Sequence, residues 1–590
     1  MTPDTAHDLF SLRAREAPDS VAVVSGGRRT SYRELAQDSD RLALRLRAAG
    51  VRPGDPVALL MERSTALFTA VLAVLKAGAC YLPLHDAHPD PRLERILERA
   101  GRPLVLADRA SVSARPELTR GALVVDDGGT ARAPGTADTA AAPTAEVSPD
   151  SPAYVMFTSG SSGEPKGVCV SHSNVLDFVR DPCWDTGHHL RVLMVAPHAF
   201  SVSTYEVLVP LLRGGTVVVA PPGPVGVTDL RRLLREHEIT GLHLTAGLFR
   251  VVAEEDPDCL APVREVLTGG DVVSADAVRR VMTACPDVVV RTTYGATETT
   301  LFTVSAPVPE PPDPGTRLPV GRPMAGVDAR ILDEEGRPVP KGVTGELHLS
   351  GPRLSLGYLG RPDLTDERFT RAPDGSGRRT FRTGDLARWT DDGMIQYVGR
   401  MDQQVKIRGF RVEPGEVEAI LSGMPEVAHA TVVPREFRPG DTRLAAYVVP
   451  AAGRVVDLDE ARALLRSLLP DYMVPAGFAV MSALPLTPNG KVDRAALPPV
   501  TADRGGGRET PRTATEKTVC ALFADVIGAR DVGPDDDFFQ LGGQSLLAVR
   551  LLNRLEAETG VALGVNVLLD SPTVSALAAE VDRRVTGVRQ

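Results

Sequence analysis

The chain has 590 residues, 43% of them hydrophobic and 24% charged, which are the proportions of an ordinary folded protein and exclude wholesale disorder. Its formal net charge of −10 argues against a general nucleic-acid-binding protein, because such proteins usually carry a basic face. No run approaches the roughly 18 apolar residues of a membrane span, and the start MTPDTAHDLF lacks the basic and apolar regions of a signal peptide, so we expect a cytoplasmic protein with no membrane segment.

Cysteine usage and chain length narrow the class further. The six cysteines include no pair with the short spacing of a zinc or redox motif, which favours structural thiols in a reducing compartment. At roughly 150 residues per domain, the length indicates about four folding units, and such a chain can bury a core without disulfides or structural metal.

The first part of the chain, residues 1–398, predicts a layered α/β fold. Helical patterns alternate with short apolar strands such as VAVV at 21–24 and PVALLM at 56–61. The small-residue stretch 130–150 is typical of a solvated loop, and the alternation resumes with AYVMFTSG. We therefore assign residues 1–398 to one large domain.

Two smaller units follow it. Residues 399–498 contain strand-like QVKIRGFRV and HATVV and a helix-like stretch at 459–469. Residues 499–512 combine proline, glycine and charge without periodicity, as a linker does. Residues 513–590 space their apolar side chains about 3.6 residues apart, which predicts a small helical domain.

The most specific local motif is the glycine-rich loop FTSGSSGEPKG at 157–167, directly after a predicted strand. Glycines let several backbone N–H groups converge on one anion, and the serine and threonine hydroxyls and Lys166 add donors and charge. The loop is not a Walker motif, because Pro165 occupies the position of the second glycine. Taken alone, it is either an anion-binding loop or a polar surface loop.

This loop resembles the phosphate loop of adenylate-forming enzymes, specifically the adenylation domains of nonribosomal peptide synthetases. Eight further motifs resemble that family in chain order: TSYREL, LKAGACYLPL, YGATE, GELHLSG, FRTGDLARW, GRMDQQVKIRGFRVEPGEVE, LPDYMVP and NGKVDR. The resemblance implies an α/β fold class: an adenylate-forming (ANL-type) large N-terminal domain, a small α+β C-terminal subdomain that is mobile, and a small all-α carrier helical bundle.

The resemblance also implies which residues bind ATP and Mg²⁺. Tyr294 would flank the adenine, Asp385 would accept hydrogen bonds from the ribose hydroxyls, and Arg400 would contact the nucleotide. Glu298 would ligate Mg²⁺, a hard cation that prefers oxygen ligands. Ala296 replaces the proline usual in the family, which removes no functional group. The β- and γ-phosphates would be held by Thr158, Ser159, Gly160, Ser161, Ser162, Gly163 and Lys166.

The catalytic residue implied by the resemblance is Lys491, in NGKVDR. Its ammonium group would bridge the substrate carboxylate and the α-phosphate, two anions that repel each other most strongly where water is scarce. In the family the small subdomain then swings about a hinge, and a thiol attacks the acyl-adenylate. Asp402 matches the hinge position, although it could be a solvated residue, and Gly409 would lie beside the thiol arm.

A second motif, DDFFQLGGQSLLAVRL at 536–551, resembles the site at which carrier domains receive 4'-phosphopantetheine. Ser545 follows two glycines and precedes an apolar helical run, so its position is that of a helix N-cap beside an exposed turn. Capping alone would explain a serine there. The surrounding motif instead favours Ser545 as the attachment point, which requires a phosphopantetheinyl transferase.

The segment HAFSVSTYEVL at 198–208 aligns with the family pattern FDxSxxE, but Ser201 occupies the position of the aspartate that pairs with the substrate α-ammonium. Burying an ammonium without its counter-charge costs several kcal/mol, so we expect a 2-oxo, 2-hydroxy or aryl acid. The alternatives are that another residue holds the amine or that the register slips by one. We expect Gly269 to leave depth in the pocket, and Tyr205, His243 and Thr293 to offer hydrogen bonds. The lining residues implied by the alignment are Phe200, Ser201, Val202, Tyr205, His243, Leu267, Gly269, Thr293, Leu301 and Phe302.

The resemblance thus implies an acid–thiol ligase that loads its own carrier domain in natural product or antibiotic biosynthesis. Its expected partners are a small carboxylic acid, the transferase, downstream synthase or tailoring enzymes and an MbtH-like helper protein, with neither nucleic acid nor membrane. The rival function is a free acyl-CoA ligase or luciferase-like enzyme, against which the fused carrier domain argues. A scaffold that has lost its chemistry is the third alternative, and the presence of Lys491, Glu298, Asp385 and Ser545 argues against it.

Overall fold

The computed structural model divides the chain into two compact units, of which the first comprises Met1–Gly160, Glu164–Pro222 and Arg231–Asp402, and the second chiefly Gln403–Gln590. The residues that the structure describes are 3–126, 147–160, 164–223, 225–372, 375–402, 404–407, 409–438, 441–486, 492–500, 510–527, 532–539, 541, 543, 545–564, 567–568 and 571–587.

Helices and strands alternate through the first unit. Its strands are β1 (Val21–Ser25), β2 (Arg28–Ser31), β3 (Pro56–Leu60), β4 (Cys80–Pro83), β5 (Leu104–Ala107), β6 (Leu123–Val124), β7 (Pro152–Thr158), β8 (Lys166–Ser171), β9 (Arg191–Met194), β10 (Thr216–Val219), β11 (Gly241–Thr245), β12 (Glu265–Gly269), β13 (Val289–Gly295), β14 (Phe302–Pro307), β15 (Arg322–Pro323), β16 (Asp328–Leu332), β17 (Gly345–Ser350), β18 (Gly357–Tyr358), β19 (Phe369–Arg371), β20 (Arg379–Trp389) and β21 (Ile395–Arg400). The helices before residue 403 are α1 (Ala6–Glu16), α2 (Tyr32–Ala48), α3 (Thr65–Lys76), α4 (Asp90–Arg99), α5 (Arg109–Ala114), α6 (His172–Val179), α7 (Val209–Leu212), α8 (Val227–Glu236), α9 (Ala246–Glu255), α10 (Ala275–Ala284) and α11 (Pro362–Arg368).

These strands form three sheets within the described residues. A nine-stranded sheet has the order β15-β14-β13-β12-β11-β9-β10-β1-β2, and its strands from β13 to β1 are parallel. A seven-stranded sheet has the order β18-β8-β7-β4-β3-β5-β6. The third sheet is antiparallel, with β16, β17, β20 and β19 in order and β21 paired with β20.

The parallel strands are short apolar runs because helices cover both faces of such sheets. Strand β10 (TVVV) is buried at all four residues, and helix α3 is buried along its whole length. Helix α2 begins with a capping box, in which Ser31 and Glu34 each accept a backbone N–H of the other. The layered α/β fold predicted for this part of the chain is therefore confirmed.

The second unit contains a small α+β part. Strands β22 (Val405–Ile407) and β23 (Phe410–Val412) form a hairpin, and Gly409 adopts a φ of +85° in its turn, where glycine carries no steric penalty. The other elements are β24 (Val427–Arg438), β25 (Asp441–Pro450) and β26 (Gly477–Val480), which form one sheet, and helices α12 (Pro414–Ser422) and α13 (Leu458–Leu468).

The end of the chain is helical, as the apolar spacing predicts. The helices there are α14 (Ala514–Ile527), α15 (Ser545–Thr559) and α16 (Val574–Gly587). Their apolar faces meet in a core around Phe523 and Phe538, whose rings contact edge to face with centroids 5.2 Å apart.

Two expectations about cysteine and membrane segments can be compared with the structure. All six cysteines are free thiols, as the spacing predicts. Among the described helices, none has both the length and the apolar character needed to cross a bilayer.

Candidate active site

A buried ion pair joins the glycine-rich loop to the YGATE segment. Lys166 begins β8, and its Nζ lies 3.8 Å from Oε1 of Glu298, which is fully buried. The Tyr358 hydroxyl donates to the same carboxylate oxygen at 2.8 Å, and its ring lies 5.1 Å from the Lys166 ammonium. Two predicted site residues from separate motifs, Lys166 and Glu298, therefore meet in the fold.

A second buried cluster centres on Asp385, within β20. The Tyr294 hydroxyl donates to one carboxylate oxygen, and Arg400 donates to the other at 2.7 Å. Burial alone would lower the pKa of Arg400, but its hydrogen bonds and Coulomb attraction to Asp402 and Asp385 raise that pKa instead. Tyr294 is thus bound to Asp385 through its hydroxyl, a contact that the sequence did not indicate.

Asp402 forms a bidentate pair with Arg400. The Nε and Nη2 atoms of Arg400 each donate to an Asp402 carboxylate oxygen at 2.6 Å, the strong fork geometry of an arginine–carboxylate pair. Asp402 is also the last residue of the first compact unit. The residue that the motif predicts as a hinge is therefore held firmly on its N-terminal side.

The phosphate-loop residues are described in part. Ser159 is buried, and the Thr158 hydroxyl is buried without a hydrogen-bond partner among the described residues. Gly160 lies so close to the Glu164 carbonyl that a Cβ would collide with it. Ser161, Ser162, Gly163 and the catalytic candidate Lys491 lie outside the described residues.

These residues fit ATP and Mg²⁺. The buried Thr158 hydroxyl has donor capacity to spare and can donate to a phosphate oxygen. No group of three or more His, Cys, Asp or Glu side chains in the described part of the chain could hold a metal alone. Mg²⁺ typically takes one or two protein carboxylates together with substrate phosphates, and Glu298 suits that arrangement.

Several of the residues predicted to line the acid pocket lie close together. His243, Leu267 and Thr293 lie on the adjacent parallel strands β11, β12 and β13, with His243 paired to Leu267 and Gly269 to Thr293. The Phe302 ring lies 5.7 Å from His243 and 6.3 Å from Tyr205. Phe200, Ser201 and Val202 are partly exposed, whereas Tyr205, His243, Leu267, Gly269, Thr293, Leu301 and Phe302 are buried.

Three expectations about the pocket need correction. The Tyr205 hydroxyl lies 2.9 Å from Nδ1 of His189, and the Thr293 hydroxyl donates to the Thr268 carbonyl at 3.2 Å. A Cβ at Gly269 would collide with the Thr293 carbonyl, so this glycine permits close strand approach rather than adding depth. The two hydroxyls already have protein partners because both lie between packed elements.

The ionisable side chains near the predicted pocket residues are either uncharged or paired with an opposite charge. Burial raises the pKa of Glu206 to about 8, so this carboxyl is largely uncharged at neutral pH, and its Oε2 accepts the Ala196 N–H at 3.0 Å. Glu265 receives a hydrogen bond from Arg291. Burial lowers the pKa of His243 to about 3, with no charged group in the described part of the chain contributing.

Ser545, the predicted attachment point, begins a helix. Helix α15 starts at Ser545 itself, so Ser545 is the first helical residue and not the N-cap that the sequence predicts. Gly543 lies so close to Phe538 that a Cβ on this glycine would collide with it. This explains one of the two glycines that precede the serine.

The sequence did not predict a set of hydrogen bonds that fixes the segment between Glu298 and Phe302. The Thr300 hydroxyl donates to the Arg353 carbonyl at 2.8 Å, and the Ser355 N–H donates to the Glu298 carbonyl at 2.9 Å. Arg353 is almost fully buried and bonds to Asp177 and Asp181 as well as to the Phe302 carbonyl. Thr300 has a φ of +70°, which is rare for a β-branched residue and needs such support. No local motif marks these contacts.

Family models match three parts of the chain. A model described as AMP-binding enzyme matches residues 10–359, and one described as AMP-binding enzyme C-terminal domain matches residues 416–491. A third, described as phosphopantetheine attachment site, matches residues 517–581.

Several known proteins are similar over nearly the whole chain. The dimodular nonribosomal peptide synthase of Bacillus subtilis is 39% identical over 98% of this chain, which spans 24% of that protein's length. Phosphinothricin tripeptide synthetase PhsC of Streptomyces viridochromogenes is 39% identical over 98% of the chain, which spans 53% of it. The solved structure of holo-PA1221, an NRPS protein containing adenylation and PCP domains, is 29% identical with a TM-score of 0.83, and the match covers 97% of this chain and 96% of that one.

Proposed function

Because the chain belongs to the AMP-binding enzyme family and ends in a phosphopantetheine-attachment domain, we propose that it activates a small carboxylic acid with ATP and loads it onto its own carrier domain. The observations that carry this proposal are the buried contacts of Lys166 with Glu298 and of Tyr294 with Asp385, which bring together residues of three separate motifs. Proteins of this family use ATP with Mg²⁺, and the attachment domain carries 4'-phosphopantetheine.

The proposed reaction has two steps. First, a carboxylate oxygen of the acid attacks the α-phosphorus of ATP. The bond from that phosphorus to the oxygen that bridges the α- and β-phosphates breaks, which releases pyrophosphate and leaves an acyl-adenylate. Second, a thiol attacks the acyl carbon, AMP leaves and the thiol proton passes to solvent. A phosphopantetheine arm attached to Ser545 would supply that thiol, and Mg²⁺ held by Glu298 would supply positive charge to offset the negative charge of the phosphates.

The chain's own residues have separate roles in this proposal. Thr158, Ser159 and Lys166 bind the β- and γ-phosphates with the rest of the loop, and Glu298 holds Mg²⁺. Asp385 orients the ribose while Arg400 keeps its carboxylate in place. Lys491 neutralises the repulsion between carboxylate and α-phosphate. Each contribution is electrostatic or positional, as expected where transition-state charge is the main barrier.

We assign residues 1–398 to the adenylation core, 399–498 to its mobile subdomain, 499–512 to the linker and 513–590 to the carrier domain. The division of the chain into compact units after Asp402 supports a hinge at this residue. The bidentate pair between Asp402 and Arg400 fixes Asp402 to the region proposed to bind the ribose. The subdomain would therefore begin to rotate just after Asp402.

Replacing Asp385 by asparagine should raise the KM for ATP about tenfold, because a charge-assisted hydrogen bond becomes a neutral one. Steady-state kinetics with varied ATP measures this effect, and a melting curve recorded in parallel reports the loss of the Arg400 pair. Asp392→Asn, at an exposed turn after β20, is the matched control. An unchanged KM in the Asp385 variant would remove this residue from the nucleotide site.

The substrate we propose carries no α-ammonium group. Ser201 stands where the family aspartate would pair with that group. The two carboxylates that act electrostatically on Tyr205, at the pocket, are Glu265 and Glu206. Glu265 is paired with Arg291, and Glu206 is largely protonated at neutral pH. A 2-oxo, 2-hydroxy or aryl acid avoids burying an unpaired ammonium, which costs several kcal/mol.

The variant Ser201→Asp tests this proposal. It should raise kcat/KM for an α-amino acid, relative to the 2-oxo acid with the same side chain, about tenfold or more, because a carboxylate can pair with the ammonium. Pyrophosphate exchange with matched pairs of acids measures the ratio. Ser201→Asn is the control, since it has nearly the size of aspartate without its charge.

A native chain that prefers α-amino acids would refute the substrate proposal and leave the adenylation proposal standing. The similarity to peptide synthases keeps that second candidate open, with an amine held by residues other than Ser201. Free acyl-CoA ligase activity, the rival function, predicts instead that soluble coenzyme A accepts the acyl group as well as the chain's own carrier domain does. The remaining partners that we propose are the transferase, downstream synthase or tailoring enzymes and an MbtH-like helper.

A further inference from the structure

A buried chain of polar groups includes Tyr205, one of the residues predicted to line the acid pocket. The Tyr205 hydroxyl lies 2.9 Å from His189 Nδ1, and His189 Nε2 lies 3.2 Å from Oε2 of Glu265. His188 Nδ1 lies 3.0 Å from the same oxygen, and Arg291 donates to the other one. Tyr205, His189 and Glu265 are each at most 1% exposed. We call these five residues, Tyr205, His189, Glu265, His188 and Arg291, the Tyr205 relay. No sequence motif predicted that they would contact one another.

The direction of the hydrogen bond between Tyr205 and His189 follows from the neighbours of His189. Its Nε2 lies 3.2 Å from the Glu265 carboxylate without forming a well-aligned hydrogen bond, and the negative charge there favours the tautomer with the proton on that nitrogen. Nδ1 then has only an acceptor lone pair, so the Tyr205 hydroxyl donates to it. Burial lowers the pKa of His189 and thereby keeps the ring neutral, which preserves this arrangement. The hydroxyl proton of Tyr205 is therefore held by the protein and is not offered to a substrate.

Strand geometry places the relay at the deep end of the pocket. Alternate residues of a strand share a face, so Glu265 lies on the same face of β12 as Leu267 and Gly269, and Arg291 on the same face of β13 as Thr293. Ligands bind such parallel sheets at the carboxyl ends of the strands. Glu265 is the first residue of its strand, which puts it at the end of the strand opposite to the one where a nucleotide is expected to bind.

The Tyr205 side chain extends toward the amino ends of the strands. A Cβ on Gly241, the first residue of β11, would lie 3.0 Å from the Tyr205 hydroxyl, so the ring reaches the amino ends of the strands. The ring also packs against Trp184, 5.3 Å between centroids, and Trp184 contacts His189 edge to face at 4.8 Å. Both ends of the tyrosine are thus held, and its ring occupies the space below Phe302.

We infer that His189, braced by Glu265, is a positioning residue that holds Tyr205 across the floor of the acid pocket and so restricts the substrate to acids with a short side chain. This inference rests on the proposed function. A short branched aliphatic group would meet Leu267, Leu301 and Phe302 at the walls and the Tyr205 ring below. Each further methylene would have to displace a ring fixed at both ends.

The experiment measures pyrophosphate exchange over a series of 2-oxo acids of increasing side-chain length, together with each variant's melting temperature. His189→Phe keeps a ring against Trp184 but removes the acceptor for Tyr205. We expect kcat/KM for long acids, relative to short ones, to rise about fivefold to tenfold, the size of effect that one hydrogen bond or one methylene typically has. Tyr205→Phe removes the same bond from the other side and should shift the ratio in the same direction.

Two further variants make the result specific. His189→Gln retains an acceptor for Tyr205 and a donor for Glu265, so the native length profile should return. Because the two single variants remove one and the same bond, the double variant His189→Phe with Tyr205→Phe should shift the ratio no further than either alone. His172→Phe is the matched control: His172 is also buried and accepts the Ala6 N–H at Nδ1, 3.3 Å away, and it contacts His7 and not Tyr205.

A purely structural relay would lower the melting temperature and leave the length profile unchanged, and that result would overturn the inference. If His189→Phe does not fold, the length profile of Tyr205→Phe tests the inference instead: an unchanged ratio of long to short acids would overturn it. Failure of the proposed function looks different, because the native chain would then exchange pyrophosphate neither with the 2-oxo acids nor with the α-amino acids that carry the same side chains.

Discussion

Replacing Lys491 by alanine should reduce formation of the acyl-adenylate about a hundredfold or more, the range seen when one preorganised charge-stabilising group is removed from an active site. The acid and the α-phosphate are both anionic, and their approach in a water-poor site is opposed by Coulomb repulsion. A single ammonium between them offsets this repulsion. Pyrophosphate exchange and direct detection of AMP measure the loss.

The same variant should behave differently in the second half-reaction. When the acyl-adenylate is supplied ready-made, the repelling anions are already joined, so loading of the carrier should fall much less than its formation did. Lys341→Ala is the control, since Lys341 is exposed and its Nζ donates to the Asp391 carbonyl at 2.8 Å. Undiminished AMP formation in Lys491→Ala would refute the mechanism proposed above, whatever the similarity of the motifs.

Replacing Ser545 by alanine should abolish loading completely while leaving pyrophosphate exchange at the native level. Alanine has no hydroxyl to which a transferase could attach the phosphopantetheine arm, whereas the residues proposed for acid activation are unchanged. Intact-protein mass after treatment with the transferase and coenzyme A detects the arm, and radiolabelled acid detects loading.

The control is Ser571→Ala, a serine in the same domain that should still be modified and loaded. Modification of the Ser545 variant at the native level would place the attachment point elsewhere. A parallel loss of pyrophosphate exchange would instead show that the substitution damages the adenylation domain, against the separate roles proposed for the two domains.

Local motifs allowed most of the site to be predicted. Gly160 lies against Glu164 and Gly543 against Phe538, too close for any side chain. The glycines of these two motifs therefore indicate the backbone geometry directly from the sequence. The alternation of apolar strands and helices likewise predicted the large α/β domain, because parallel strands buried on both faces must be apolar. Lys166 and Glu298 were predicted separately, from separate motifs.

Side-chain partners distant in sequence could not be predicted in this way. His189, from the turn before β9, Glu265, from β12, and Arg291, from β13, form one buried network with Tyr205. Arg353 bonds to Asp181, 172 residues away. Such pairs have no fixed spacing, since any element that the fold brings near can supply the partner.

The sequence by itself therefore determined the family, the order of the domains and the candidate groups for chemistry, because backbone turns, burial patterns and charged motifs are local properties. Only the tertiary structure decided which hydroxyls already have protein partners, which carboxylates are neutralised, and that Gly269 serves close strand approach rather than pocket depth. The reason is physical. A buried polar group must find its partner within about 3 Å, and which residue lies there depends on how distant segments pack.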